Sequence, residues 1–355
     1  MDAQLTLFTE TIPVSSKFPS TRYQGSKQKF VDWIWQCIKD IPFYTVLDAF
    51  GGTSCVSYKM KEEGKMVTYN DILSFNHIIG KSLIENRNVQ LQNDDVNDIL
   101  KQHQTINYPN FIEKTFKDIY YTDEENRWLD IVSTNIRLMK DEYKQAIAYF
   151  ALFQSCIIKR PYNLFHRKNL YVRLQDVKRS FGNKKTWDTS FEVHFRKFVQ
   201  EANNAVFDGG NKCISINKDV FDIDSKYDLV YIDTPYINEN GVGVDYADFY
   251  HFLNGLVDYD NWNEYIDYKS KHLRLMRTPN IWNDKDRIYD AFEKLFHKFS
   301  DSIMVISYRS NGIPTIEELV NILIGLGKEV KIYQSNEMKY VLSSKVSNEI
   351  LIVAK

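Results

Sequence analysis

The stretch Tyr44-Thr45-Val46-Leu47-Asp48-Ala49-Phe50-Gly51-Gly52-Thr53-Ser54 decides how this chain folds. Tyr44 to Phe50 is a short apolar run of the kind that forms a buried strand. It leads directly into two glycines, and the pattern that follows predicts a helix from about Ser54 to Glu63, with Gly64 as its stop. Met66-Val67-Thr68-Tyr69 predicts a second strand ending at Asn70-Asp71. Strand, helix and strand in this order make a βαβ unit, whose crossover is right-handed in nearly all proteins.

On the N-terminal side, the first 20 residues carry two prolines and little pattern, and read as an arm. Ser26 is placed to cap a helix running through Phe30, Trp33, Ile34 and Ile38, which Pro42 ends. On the C-terminal side, the pattern is largely helical from about Lys81 to Ala205, with amphipathic stretches at Trp128–Leu138 and Tyr143–Ile158. Strands resume at Lys212–Ile216 and recur at Tyr227–Ile232, Ser302–Tyr308, Glu329–Tyr333 and Glu349–Val353. Alternating strands and helices imply an α/β fold with a doubly wound, mostly parallel sheet. The expected organisation is a catalytic domain in two pieces, 1–80 and 206–355, split by a mainly helical insertion at 81–205.

The 355 residues are 43% hydrophobic, ample for a packed core. A formal charge of −2 excludes a general polycation, so any nucleic-acid surface must be a local basic patch. Cys37, Cys55, Cys156 and Cys213 are too scattered to form a zinc-ligand pair, and no metal site is expected. No apolar run approaches the roughly 18 residues of a membrane helix, and Met1 to Ser20 does not read as a signal peptide. The expectation is a cytoplasmic protein with reduced thiols.

Glycines at a strand-to-helix turn let backbone approach a ligand closely. The Gly-Lys-Ser/Thr ending of a triphosphate loop and the full glycine fingerprint of a dinucleotide site are both missing here. Asp48 just before the turn suits a ligand bearing an ammonium group, and Asp71 at the end of the next strand suits ribose hydroxyls. Together they favour an adenosine with a cationic amino-acid tail, although a plain βα turn would use the same glycines.

The strand Leu229–Ile232 ends in Asp233-Thr234-Pro235-Tyr236. Pro235 biases Thr234 towards an extended backbone, which aims the Thr234 carbonyl beside the Asp233 carboxylate. Two acceptors aimed at one point suit the two hydrogens of an exocyclic amine, and Tyr236 is placed to stack on a base swung out of the duplex. An ordinary Asp-Pro turn would read the same way in isolation. Ring-carbon methylation of cytosine, which typically uses a cysteine after proline, finds no Pro-Cys pair in this chain.

These pieces resemble the D12 class, or Dam-like alpha group, of N6-adenine-specific DNA methyltransferases. The matching stretches are Arg22-Tyr-Gln-Gly-Ser-Lys27, Asp48-Ala-Phe-Gly-Gly-Thr-Ser54, Asn70-Asp71, Asp233-Thr-Pro-Tyr236 and Ser307-Tyr-Arg309, in the family's order. The resemblance implies a Rossmann-like methyltransferase sheet, S-adenosylmethionine as cofactor, duplex DNA as partner and a cognate restriction endonuclease as companion. It implies that Tyr23 and Lys27 meet the methionine end of the cofactor, that Phe50, Gly51 and Gly52 form the cofactor loop, and that Asp71 holds the ribose. Asp219 resembles the acid near the cofactor's adenine amine, with Asp222 and Asp224 as competitors, and Phe249 and Tyr250 fall where the family has a helix near the site. The family's catalytic tetrapeptide carries two prolines, whereas Thr234 stands at the first here. That position contributes a main-chain carbonyl, so the departure costs rigidity rather than chemistry.

From Lys159 to Lys185 there are nine Lys/Arg and one acid, Asp176, a local net of +8. Lys159, Arg160, His166, Arg167, Lys168, Arg173, Lys178 and Arg179 are therefore the expected DNA contacts, with Tyr162, Phe165 and Tyr171 interleaved as wedges or stacking groups. A solvated basic loop or a protein-binding surface has the same composition. The rival functions are N4-methylation of cytosine, methylation of RNA, a catalytically weak DNA-binding or cofactor-sensing homologue and, remotely, an NAD-type oxidoreductase.

Overall fold

The computed structural model describes residues 16–176, 184–335 and 349–355. Among the described residues there are nine strands: β1 (Thr45–Asp48), β2 (Met66–Asn70), β3 (Ile214–Ile216), β4 (Leu229–Ile232), β5 (Ile237–Asn238), β6 (Ile303–Arg309), β7 (Gly312–Ile313), β8 (Val330–Gln334) and β9 (Glu349–Ala354). Seven of them form one sheet in the order β3-β2-β1-β4-β6-β9-β8, and β5 pairs with β7 apart from it. The first five in that order run parallel, and β9 lies antiparallel between β6 and β8. This is the doubly wound, mostly parallel α/β sheet that the alternation of elements implies.

Period-two alternation divides the central strands between two cores. Val46, Leu229, Tyr231 and Val305 face one side, where they join the helical segments. Leu47, Val230, Ile232 and Ile306 face the other, against helices Ile288–Lys298 and Ile316–Gly325. Burial on both faces explains why β4 reads as an unbroken apolar run.

Among the described residues no strand lies between β2 and β3. The helical stretch begins earlier than Lys81, with helix Ser74–Gly80 running on into a π-turn over Lys81–Glu85. Helix Glu142–Ile158 is buried without a break from Ala146 to Ile158, and it packs along helix Phe191–Ala205. Helix Asp123–Arg137 opens with a capping box in which Thr122 and Glu125 satisfy each other's backbone amides. At the N-terminal side, Ser26 caps only a 3-10 turn, Lys27–Lys29, and the helix proper runs over Val31–Ile38 from an N-cap at Phe30.

The glycine turn is shaped by a protein ring. A Cβ at Gly51 would fall 2.1 Å from Tyr69 Cε2, and one at Gly80 would fall 2.3 Å from Tyr69 Cδ1. Tyr69 therefore fills the space that both glycines leave, and its hydroxyl donates to the Gly52 carbonyl at 2.8 Å. Gly51→Ala is expected to destabilise the fold by roughly 1–3 kcal/mol through overpacking. In a Tyr69→Ala background the added cost of Gly51→Ala should largely disappear. Denaturant unfolding of the four proteins of this cycle measures the coupling, and simple additivity would contradict the steric account.

Candidate active site

β1 and β4 are parallel neighbours with Asp48 opposite Tyr231, and the Ala49 amide donates to the Tyr231 carbonyl at 3.0 Å. The chain winds outward from this pair in both directions, through β2 and β3 on one side and β6 on the other. This is the switch point at which open α/β sheets hold ligands. A cavity of about 760 Å³ opens there, and its wall includes Tyr23, Lys27, Asp48, Phe50, Gly51, Gly52, Asp71 and Asp219. Asp233, Thr234, Pro235 and Tyr236 line the same cavity, so the glycine turn and the Asp-Thr-Pro-Tyr loop share one space.

At the glycine end, Gly52 takes a positive φ of 50° and its amide donates to Asp71 Oδ2 at 2.9 Å. Asp71 also accepts from the Leu73 amide at 2.8 Å and from Asn76 Nδ2 at 3.1 Å, so it ties the turn to the end of β2. Asp48 accepts from Ser57 Oγ at 2.6 Å, while its Oδ1 is buried with no hydrogen-bond partner among the described residues. Tyr23 is sandwiched between Tyr250 and Tyr246, with ring centroids 4.5 and 5.5 Å away. The Gln24 amide donates to Tyr250 Oη at 2.8 Å, which fixes the N-terminal segment over the site. Phe50 and Phe221 flank Trp282 at 5.1 and 6.0 Å and give the cavity an aromatic wall. Asp219 caps the turn at Phe221, and of Asp219, Asp222 and Asp224 it alone lines the cavity.

At the other end, Tyr236 Oη donates to Asp233 Oδ1 at 2.5 Å and accepts from Lys27 Nζ at 2.6 Å. Lys27 Nζ also lies 3.3 Å from Asp233 Oδ1 and 2.7 Å from Glu349 Oε1. Glu349, at the start of β9, is buried and accepts from Ser307 Oγ at 2.6 Å. Sequence reasoning missed Glu349 altogether. Thr234 is 3% exposed, and its hydroxyl has no hydrogen-bond partner among the described residues. The Tyr236 ring stands edge-on to Tyr308, centroids 5.5 Å apart, and its hydroxyl is engaged by the Lys27–Asp233 cluster.

Burial governs the acids here. It pushes Asp48 up to about 7 and Asp71 up to about 6. Asp233 is also raised to about 6 by burial, with Lys27 opposing the rise and Glu349 adding to it. These three buried carboxylates line one cavity and make a site suited to a cationic ligand.

The basic segment requires a correction. Lys159 and Arg160 are each 1% exposed and Arg173 is 5% exposed, so these three do not reach phosphate. Lys159 and Arg173 pair with the same carboxylate, Glu125, at 2.9 and 2.7 Å. The Arg160 guanidinium donates to the carbonyls of Leu164, Tyr120 and Arg167 and to the Asn169 side chain, and stacks over the Tyr120 ring. Phe165 is likewise buried. Arg167 and Lys168 are exposed and His166 is half-buried, while Lys178 and Arg179 lie outside the described residues.

A mostly parallel sheet whose switch point brings two acid-bearing strand ends over one cavity is a doubly wound α/β fold with a ligand site at its switch point. A family model described as D12 class N6 adenine-specific DNA methyltransferase matches residues 23–321, and the chain belongs to that family. It is 32% identical over 327 residues to the Type II methyltransferase M2.HphI of Haemophilus parahaemolyticus, covering 90% of this chain and 91% of that one. It is 25% identical to the Type II methyltransferase M.FokI of Planomicrobium okeanokoites, covering 90% of this chain but 49% of that longer protein. It is 22% identical to the Type II methyltransferase M.CviAII of Paramecium bursaria Chlorella virus 1, covering 92% of this chain and 95% of that one. No helix among the described residues is long and apolar enough to cross a membrane.

Arg160→Ala is expected to destabilise the protein by roughly 2–5 kcal/mol, because it strands several buried acceptors and leaves a cavity. Arg167→Ala and Lys168→Ala should leave the melting temperature unchanged and weaken duplex binding. Thermal melts and binding titrations on the three variants distinguish a packing role from a surface role.

Proposed function

We propose that this enzyme transfers a methyl group from S-adenosylmethionine to N6 of an adenine swung out of duplex DNA, as the modification half of a restriction-modification system. The observation that carries the reading is that the Asp233–Tyr236–Lys27 cluster, backed by Glu349, lines the same cavity as the glycine turn. When bound, the cofactor supplies a methyl made electrophilic by a sulfonium. Asp48, with a buried oxygen unpartnered among the described residues, suits the ammonium of the cofactor's amino-acid end. Asp71 at the end of β2 suits the ribose, and the wall of Phe50, Phe221 and Trp282 suits a planar purine. The helical segment 81–205 is the part that reads and holds the DNA, with Arg167 and Lys168 on phosphates.

The protein's own chemistry is alignment and charge placement. Tyr236 and Lys27 both occupy Asp233 Oδ1, which leaves Oδ2 and the Thr234 main-chain carbonyl to accept the two amine hydrogens. Those bonds hold the nitrogen lone pair out of the ring's conjugation and towards the methyl. Threonine in place of proline at 234 retains this carbonyl.

Single-molecule sequencing of DNA from cells expressing the wild-type chain should show N6-methyladenine at one short sequence, and Asp233→Ala should abolish it. N4-methylcytosine in its place would overturn the choice of base, and unmodified DNA would overturn the function.

Cofactor binding should also be linked to protons. Asp48, Asp71 and Asp233 are raised to about 7, 6 and 6. A cationic ligand favours their ionised forms, so binding releases protons, and affinity should fall as pH drops from about 8 to about 6. Calorimetry with S-adenosylmethionine in two buffers of different ionisation enthalpy measures the release. Proton uptake would contradict the assignment.

A further inference from the structure

Residues 265–276 form a small hairpin beside the cavity mouth. Ile266 and Leu275 bridge antiparallel, the Asp267 amide donates to the Arg274 carbonyl at 2.8 Å, and the Met276 amide donates to the Tyr265 carbonyl at 2.7 Å. This pairing sets Tyr265 and Met276 side by side. Both line the cavity, yet they are 46% and 55% exposed. Two large side chains held open side by side at the cavity mouth form a contiguous apolar patch of the kind that marks an interaction site. Between Tyr268 and Asn283 the chain carries Lys269, Lys271, Arg274 and Arg277 and no acid, in a protein whose overall charge is −2. Arg274 pairs with Asp267 at 3.2 Å, and Arg277 lies 3.7 Å from Asp248. Lys269 and Lys271 at the hairpin tip are exposed.

The hairpin is also continuous with the exposed part of the basic segment. The buried hydroxyl of Tyr120 lies 2.7 Å from the Phe165 carbonyl and 2.6 Å from the His272 carbonyl and shares its one hydrogen between them. One side chain thus anchors the turn that leads into Arg167 and Lys168 and the loop of the hairpin. The polyanion expected at the first would meet the second. We propose that the 265–276 hairpin is a second DNA-contacting element, which holds phosphates with Lys269 and Lys271 and sets Tyr265 and Met276 against the bases beside the extruded adenine. It rests on the DNA-methylation reading and adds to it the surface that stabilises the opened duplex. Apolar side chains entering a base step offset lost stacking, while cations on the backbone set register.

The test uses a duplex carrying the sequence found modified in cells, with the target adenine either paired to thymine or opposite an abasic position. For the double variant Tyr265→Ala/Met276→Ala, kcat/KM is expected to fall ~10-fold or more on the paired duplex but under ~3-fold on the open one, where flipping costs less. Met276→Leu should retain activity on both. For Lys269→Ala/Lys271→Ala, the slope of log Kd against log salt on a linear duplex should become shallower by about 2. Equal losses on the two duplexes, or no loss, would overturn the wedge role, and an unchanged slope would overturn the phosphate contacts. Wild-type protein that modifies no DNA would instead sink the methylation reading, and the salt slope would still decide whether the hairpin touches DNA. Unchanged melting temperatures exclude misfolding.

Discussion

Parallel pairing of β1 with β4 is the constraint on which the rest of the molecule depends. The register Val46–Leu229, Leu47–Val230, Asp48–Tyr231 lets both strands end together, so the glycine turn and the Asp233 loop leave the sheet side by side. Side chains alternate between faces, so a slip of one residue would turn Val46 and Leu229 out of their core and Asp48 away from the cavity. Both faces of these strands are buried, which specifies the register strongly. The apolar pattern that folds the sheet therefore also aligns two pieces of site that lie far apart in the chain.

The second determinant is electrostatic. Because β9 runs against its neighbours, its first residue lies at the end of the sheet where the parallel strands finish, and Glu349 reaches Lys27 there. The ammonium is held between Asp233 and Glu349, away from water. Among the described residues Asp233 and Glu349 both meet Lys27, and Asp48 and Asp71 add negative charge to the same region when ionised. A buried ion cluster of this kind contributes little net stability by itself, but losing one member would strand the others. Its value is in orientation: Lys27 and Tyr236 fix Asp233 through one oxygen.

Much of this was legible in the sequence where the physics is local. A glycine turn after an apolar run and an acid-proline-tyrosine loop after another are short-range patterns, and they located the cavity wall. Glu349 was not legible, because it sits in an ordinary strand and acts through tertiary contacts, among them its pairing with Lys27. The basic segment misled for a related reason. Charge counted along the chain could not include Glu125, which lies upstream in a helix cap and pairs with both Lys159 and Arg173 in the interior. Arg160 is satisfied mainly by main-chain carbonyls, which composition does not register. The hairpin at 265–276 escaped notice because its strands are too short to show a period.

The aromatic wall has an optical corollary. Of the chain's six indoles, Trp282 is the one that lines the cavity, where it stands between Phe50 and Phe221. Trp33, Trp35, Trp128, Trp187 and Trp262 lie elsewhere and provide a constant background of emission. A purine arriving beside Trp282 would perturb a single fluorophore, so the protein carries its own occupancy gauge and needs no attached dye to report when the cavity fills.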